Sequence, residues 1–160
     1  MIQTLIKLWL SMKKVQKNTE MHFVNSLIRC IYMKQPVWLT KIIVEAIHLS
    51  QIREHGGQYG IRDTNLLESA LSRPTNRWAY RQESNMFNLA AAYGYDLAKN
   101  HCFVDGNKRA AFMAMYTFFG LNGYEIDVTE PEVVDIMLGV ADSSVSEKQL
   151  TAWLRRHIKP

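Results

Sequence analysis

Cysteine is scarce in this chain of 160 residues, which has only Cys30 and Cys102, neither in a metal-ligand spacing. This scarcity excludes a small secreted fold held together by disulfides and predicts a reducing compartment, which we expect to be the cytoplasm. Because Cys102 directly follows His101, a cysteine–histidine nucleophile is an alternative. However, adjacent side chains rarely face each other, and no third group is evident to orient the pair.

Long hydrophobic runs, internal repeats and low-complexity tracts are also missing. The apolar stretch at residues 2–10 is interrupted by Lys7, is too short to span a bilayer and has no small-residue cleavage site after it. We therefore expect residues 1–32 to be a poorly ordered extension, or not part of the natural product, and residues 33–160 to form one domain. The alternative for residues 1–32 is a basic amphipathic helix that meets a membrane or a partner.

A broad excess of charge is lacking as well. The formal net charge is +4, but residues 1–38 hold six basic residues against one acidic residue. The remaining 122 residues hold 13 basic and 14 acidic residues, so the body of the chain is nearly neutral. This distribution predicts no direct contact with nucleic acid and none with a membrane. The hydrophobic fraction of 48% is typical of a globular domain.

A helical pattern of apolar residues covers most of the chain after residue 36. We predict helices over about 40–54, 65–72, 84–99, 107–121, 129–142 and 146–157. Pro74 is expected to end the second helix, and residues 73–82 are expected to form an exposed loop or short hairpin. A short pair of strands is also expected near residues 124–128. The predicted fold class is all-α, a bundle of about six helices around the strongly apolar helix at 107–121.

The segment before that helix, residues 101–109, reads His-Cys-Phe-Val-Asp-Gly-Asn-Lys-Arg. The free N–H groups at a helix N-terminus form an anion site, and Gly106 allows a phosphate to approach the backbone closely. Asn107, Lys108 and Arg109 occupy the first turn, where positive charge opposes the helix dipole. The two cations are better explained there if an anionic ligand neutralises them.

Two further side chains of the segment indicate chemistry beside that anion. Asp105 offers the hard oxygen ligand that Mg²⁺ prefers together with phosphate oxygens. His101 can act as a base toward a hydroxyl, since histidine changes protonation near neutral pH. Individually, a satisfied histidine and a carboxylate that only caps a helix are more ordinary interpretations. The other histidines, His22, His48, His55 and His157, are interpreted as surface or helix-face residues.

Residues 101–109 resemble the signature of the Fic/Doc superfamily: His, any, Phe, any, Asp or Glu, Gly or Ala, Asn, Gly or Lys, Arg. The resemblance to the death-on-curing branch extends over about residues 36–145. It includes Gly56 to Asp63, the segment Leu66 to Pro74, and Leu121 to Tyr124. It implies a helical toxin of a type II toxin–antitoxin pair.

The resemblance also implies roles for the site residues. Death-on-curing toxins transfer the terminal phosphate of ATP to a threonine of elongation factor Tu, which stops translation. In that scheme His101 is the general base, Asp105 positions Mg²⁺, and residues 106–109 hold the phosphates. Lys108 is typical of this kinase branch, whereas Gly106 is typical of members that transfer AMP. AMP transfer therefore remains an alternative, and a third is a non-catalytic module that binds an antitoxin or operator complex.

The expected loop at 73–82 is interpreted as a flap over the site, in which Trp78 and Tyr80 contact the target protein. The resembled family is inhibited by a Ser/Thr-x-x-x-Glu-Gly/Asn helix. Ser50…Glu54 and Ser143…Glu147 have its spacing, but histidine and lysine follow them. We therefore expect inhibition in trans by a cognate antitoxin.

Overall fold

The structure, a computed structural model, describes residues 35–80 and 85–159. These residues form six helices and one two-stranded sheet: α1 (Lys41–His55), α2 (Thr64–Tyr80), α3 (Met86–Lys99), α4 (Asn107–Leu121), β1 (Glu125–Ile126), α5 (Glu130–Ala141), α6 (Glu147–His157) and β2 (Ile158–Lys159). The prediction of an all-α bundle of about six helices is confirmed for this part of the chain. The prediction for residues 1–32 lies outside the described residues.

Side-chain caps fix where several helices begin. The Thr40 hydroxyl accepts from the Ile43 N–H before α1, and the Asp63 carboxylate accepts from the Leu66 N–H before α2. Capping boxes start two further helices, Thr129…Glu132 before α5 and Ser146…Gln149 before α6. Local sequence therefore sets these boundaries.

Helices α3 and α4 together form the centre of the bundle. α3 packs against α2, α4, α5 and α6, and α4 also packs against α1 and α5. Eight residues of α3 are buried, including Tyr93 and Leu97. The apolar α4 is less enclosed than expected, because Tyr116 and Leu121 remain about half exposed. The small residues of α3 let α4 approach closely, as at Gly94, where a Cβ would lie 2.3 Å from the Met115 sulfur.

The prediction that Pro74 ends the second helix is wrong. α2 continues through Pro74 to Tyr80, so residues 73–80 are helical rather than a loop or hairpin. Arg73 bonds to Asp96 of α3 at 2.5 Å and to Glu147 of α6 at 2.6 Å, and Arg77 also pairs with Glu147. These contacts flank the buried Pro74 and hold the backbone helical, because tertiary packing outweighs the lost hydrogen bond. The remaining residues of the expected loop, 81 and 82, lie outside the described ranges.

The short sheet joins the segment after α4 to the segment after α6. β1 pairs antiparallel with β2, with Glu125 opposite Lys159 and Ile126 opposite Ile158. A strand therefore forms near residues 124–128 as predicted, but it pairs with the segment after α6 and not within a local pair. Among the helices that the structure describes, none combines the length and apolar character needed to cross a membrane.

Candidate active site

The segment 101–106 leaves the end of α3 and leads into α4. Asn100 caps α3, and His101 then adopts a left-handed conformation with φ of 47°. A residue of this conformation commonly ends a helix and turns the chain away from its axis. The His101 side chain is exposed at this turn, whereas the next two residues, Cys102 and Phe103, are buried. The loop therefore presents an imidazole to solvent on an anchored backbone.

The segment between α1 and α2 straps this loop to the domain. Ile61 and Phe103 form an isolated antiparallel bridge. The supporting backbone hydrogen bonds are Val104 N to Gly60 O at 2.9 Å, Arg62 N to Cys102 O at 2.8 Å and Asp63 N to Cys102 O at 3.2 Å. Residues 60–63, which belong to the upstream part of the family resemblance, thus hold the loop through backbone hydrogen bonds.

Asn107, predicted to hold phosphate, uses its side chain inside the loop. Its Oδ1 accepts from the Phe103 N–H at 2.9 Å, and its Nδ2 donates to the Phe103 carbonyl at 2.9 Å. Both polar atoms of the amide are therefore engaged with the backbone of a buried residue. This geometry makes Asn107 a brace of the loop, and it leaves its backbone N–H as the group that can face a ligand.

Asp105 lies at the N-terminal end of α4 with its side chain 52% exposed. The Gly106 amide above all, and also the Gln58 amide and the Arg109 guanidinium, hold the pKa of this carboxyl below its usual range. Asp105 is thus an ionised carboxylate near neutral pH. Within the described ranges no three His, Cys, Asp or Glu residues group as a metal cage. The donor set fits Mg²⁺, which takes few protein carboxylates and keeps water and phosphate ligands.

The N-terminus of α4 is open. Its N-cap is Gly106, which has φ of 71° and provides no side-chain cap. The first helical bond runs from Ala110 N to Gly106 O, so the N–H groups of residues 107–109 have no intrahelical acceptor. Lys108 is exposed on this turn and makes no hydrogen bond or ion pair with any described residue. Three amides and the positive end of the helix dipole are therefore available to an anion at this terminus, and Lys108 is exposed on the same turn.

Arg109 bridges this site to the end of α1. Its Nη1 and Nη2 both donate to the Gly56 carbonyl at 3.1 Å, and Nη1 also lies 3.5 Å from the Gln51 carbonyl. Its Nη2 is 4.0 Å from the Asp105 carboxylate. A guanidinium has five N–H groups, so two remain for a ligand. The side chain is thus fixed in place and still able to contact a phosphate.

His48 is the residue that the sequence interpretation missed. It was expected on a surface or helix face, but it is fully buried beneath the loop, with its Nε2 2.9 Å from the Asp105 carbonyl. A signal was available, since His48 lies four residues from both Val44 and Ile52, on the stripe that α1 buries. A polar ring in such a stripe is expected to meet a specific partner.

The cysteine–histidine nucleophile is not supported by the geometry. Cys102 is fully buried, and burial raises the pKa of its thiol to about 11. A nucleophilic cysteine needs the opposite, an accessible thiol with a lowered pKa. Cys102 is a core residue of the loop.

Trp78 and Tyr80, predicted to contact a target protein, lie at the C-terminal end of α2. Trp78 packs against the core, and its ring meets Trp38 edge to face at 6.3 Å between centroids. Tyr80 is 85% exposed. The two side chains therefore differ in function: Trp78 contributes to packing, and Tyr80 offers an accessible surface.

Comparison with known proteins agrees with this architecture. The family model for the Fic/DOC family matches residues 38–119, which span α1 to most of α4. Protein kinase doc of Escherichia phage P1 is 32% identical over 111 residues, 69% of this chain and 87% of that protein. Toxin Doc of Mycolicibacterium smegmatis (strain ATCC 700084 / mc(2)155) is 37% identical over 102 residues, 62% of this chain and 78% of that protein. The chain belongs to the Fic/Doc family.

Proposed function

We propose that this protein is a Doc-type toxin that transfers the terminal phosphate of ATP to a hydroxyl group of a protein. The observation that carries the proposal is the arrangement at the start of α4. The start of α4 carries three open amides, the exposed Lys108 and the ionised Asp105, and the exposed His101 lies on the loop that leads into it. The name of the phage relative, a protein kinase, supports the same chemistry.

The binding roles follow from the contacts. The α4 amides, Gly106, Lys108 and the two remaining N–H groups of Arg109 hold phosphate oxygens. Asp105 would hold Mg²⁺, which when bound neutralises charge on the phosphates and orients them. Asn107 contributes its backbone N–H and keeps the loop rigid through Phe103. Such positioning and charge neutralisation provide most of the catalysis in phosphoryl transfer.

His101 acts as the general base. The target hydroxyl oxygen attacks the terminal phosphorus, its proton passes to the His101 imidazole, and the bond between that phosphorus and the bridging oxygen breaks. ADP leaves, and the target carries the phosphate. The exposed position of His101 suits a base that must reach a macromolecular substrate.

AMP transfer is the second candidate, and Gly106 favours it because the resembled AMP-transferring branch has glycine there. In that reaction the hydroxyl attacks the α-phosphorus and pyrophosphate leaves. The two reactions are separated by incubating a target with ATP labelled either at the γ-phosphate or at the α-phosphate. The kinase predicts label only from γ-labelled ATP, and AMP transfer predicts label only from α-labelled ATP. If the target gains label from neither form of ATP, the protein is a non-catalytic binding module.

The partners are part of the same proposal. The mycobacterial relative is named a toxin, which supports a cytoplasmic toxin restrained in trans by a cognate antitoxin. We propose elongation factor Tu as the protein that accepts the phosphate, with inhibition of translation as the consequence. Co-expression of a neighbouring antitoxin gene should relieve growth arrest caused by the wild-type toxin, and His101→Ala alone should not arrest growth.

A further inference from the structure

His48 of α1 packs as one layer of an aromatic stack beneath the loop. Its ring lies almost parallel to that of Phe103, with centroids 4.0 Å apart and planes 9° apart. Tyr59 stacks against His48 as well, at 5.4 Å and 25°. The imidazole is fully buried, so its orientation is fixed by these rings.

The hydrogen bond of His48 defines which nitrogen carries the proton. Nε2 lies 2.9 Å from the Asp105 carbonyl, which can only accept, so Nε2 donates. Nδ1 has no hydrogen-bond partner among the described residues. The ring therefore directs one N–H donor, at Nε2, toward the loop.

Packing alone does not account for a histidine at this position. A phenyl ring would stack on Phe103 equally well and would leave no buried nitrogen without a partner. What only the imidazole supplies is the bond to the carbonyl between Asp105 and Gly106. That peptide sets the direction of the Asp105 carboxylate and the left-handed turn at Gly106, where a Cβ would come within 3.7 Å of His48 Cδ2.

We propose that His48 is a positioning residue that holds the Asp105–Gly106 peptide, and through it the metal-binding carboxylate and the open end of α4. For its effect on catalysis this inference rests on the proposed phosphate transfer. Its effect on the loop is independent of that function. His48 acts through Asp105 and does not itself contact a nucleotide or a target.

The test compares His48→Phe with a matched control, Tyr93→Phe, which removes a hydroxyl buried in the core elsewhere. The first readout is amide hydrogen exchange of the peptide covering residues 101–109. The second is the affinity for Mg·ATP, measured calorimetrically at several Mg²⁺ concentrations. In His48→Phe we expect loop exchange at least about tenfold faster and Mg·ATP binding about tenfold weaker, since groups that orient a metal ligand have effects of that size. Tyr93→Phe should match the wild type in both.

A conservative variant and a measurement on the wild-type protein complete the test. His48→Gln keeps an N–H donor and should restore much of the loop protection and Mg·ATP affinity lost in His48→Phe. If His48→Phe does not fold, nitrogen NMR of the wild-type histidines decides: the proposal requires the proton of His48 on Nε2. A proton on Nδ1 would overturn the proposal. So would a His48→Phe variant whose loop exchange and Mg·ATP affinity equal those of the wild type. The wild type could transfer neither phosphate nor AMP while amide exchange of the loop is still faster in His48→Phe. In that case the proposed function fails and the positioning of the loop by His48 stands.

Discussion

The side-chain amide of Asn107 closes a ring of two hydrogen bonds with the backbone of Phe103, each 2.9 Å long. The ring joins the first residue of α4 to the middle of the loop, across the turn that carries Asp105. An asparagine that looks like a ligand of phosphate in the sequence is thus part of the frame that shapes the site.

The first prediction concerns this ring. Asn107→Ala leaves the N–H and carbonyl of buried Phe103 without partners and should lower the free energy of unfolding by about 1–3 kcal/mol. It should also abolish most transfer activity, because the loop loses its shape. Asn122 offers a matched control, since it forms a similar ring with Val37 at the other end of α4. Urea denaturation should show a smaller loss of stability for Asn122→Ala, because Val37 is exposed, and its activity should persist; equal loss of activity in both variants would refute a local role.

The second prediction concerns Gly57, which lies against the Asp105 carboxylate. A Cβ on Gly57 would lie 2.5 Å from the Asp105 Oδ2, so Gly57→Ala must displace the carboxylate. We expect the Mg²⁺ concentration for half-maximal Mg·ATP binding to rise about tenfold. Gly56→Ala is the control, because it also has a positive φ but no atom within 4 Å of the added Cβ. A calorimetric titration that finds the same Mg²⁺ dependence in both variants would contradict the proposed role of Asp105 as a metal ligand.

The third prediction concerns the ion cluster that keeps α2 helical beyond Pro74. Glu147 pairs with Arg73 and Arg77, and its side chain is only 19% exposed. Glu147→Ala should lower the free energy of unfolding by about 2 kcal/mol, less than for a fully buried pair. Glu68→Ala removes the exposed pair with Lys41 and should cost less than about 1 kcal/mol. Chemical denaturation measures both, and equal losses would show that the cluster does not support α2.

The fourth prediction concerns the buried thiol. The pKa of Cys102 is raised to about 11, so forming its thiolate opposes folding. The buried, protonated thiol therefore contributes its full stability below about pH 9, and this contribution is lost as the pH rises toward 11. In a Cys30→Ser background, alkylation at pH 8 should be far slower in the native than in the denatured protein. Cys102→Ala should reduce the loss of stability between pH 9 and 11 and retain His101-dependent transfer; rapid native alkylation would contradict the burial.

The fifth prediction separates the two aromatic residues at the end of α2. Tyr80→Ala should leave the free energy of unfolding unchanged, because Tyr80 is exposed. It should raise the KM for the protein target, because Tyr80 is predicted to contact that target. Trp78→Ala should destabilise the fold by about 3 kcal/mol through lost packing on Trp38. Steady-state kinetics with varied target checks the first effect. An unchanged KM in Tyr80→Ala would remove this helix end from the target-binding surface.

The sequence predicted the parts of the fold that local signals determine. The caps at Thr40, Thr129 and Ser146 set helix starts that the structure confirms. The helix through Pro74 could not be predicted this way, because its support comes from Asp96 and Glu147, which are distant in sequence.

The site was predicted as a set of residues and not as an arrangement. Side-chain chemistry placed His101, Asp105 and Lys108 near one helix end. In the structure Asp105 and Lys108 flank the N-cap Gly106 of α4, and His101 is exposed at the turn after α3. Side-chain chemistry could not show that Asn107 braces Phe103, because that role depends on a loop conformation. The burial of His48 could have been read from its spacing to Val44 and Ile52. Its partner could not, because a backbone carbonyl 57 residues away is recorded by no side-chain motif.

The proposed phosphate transfer is best tested by measuring the intact mass of purified elongation factor Tu after incubation with the protein, Mg²⁺ and ATP. We expect a gain of one phosphate with the wild type and no gain with His101→Ala. A gain of one AMP would replace the kinase with the alternative chemistry. An unchanged mass with the wild type, or the same gain with His101→Ala, would refute phosphate transfer by His101 to this factor.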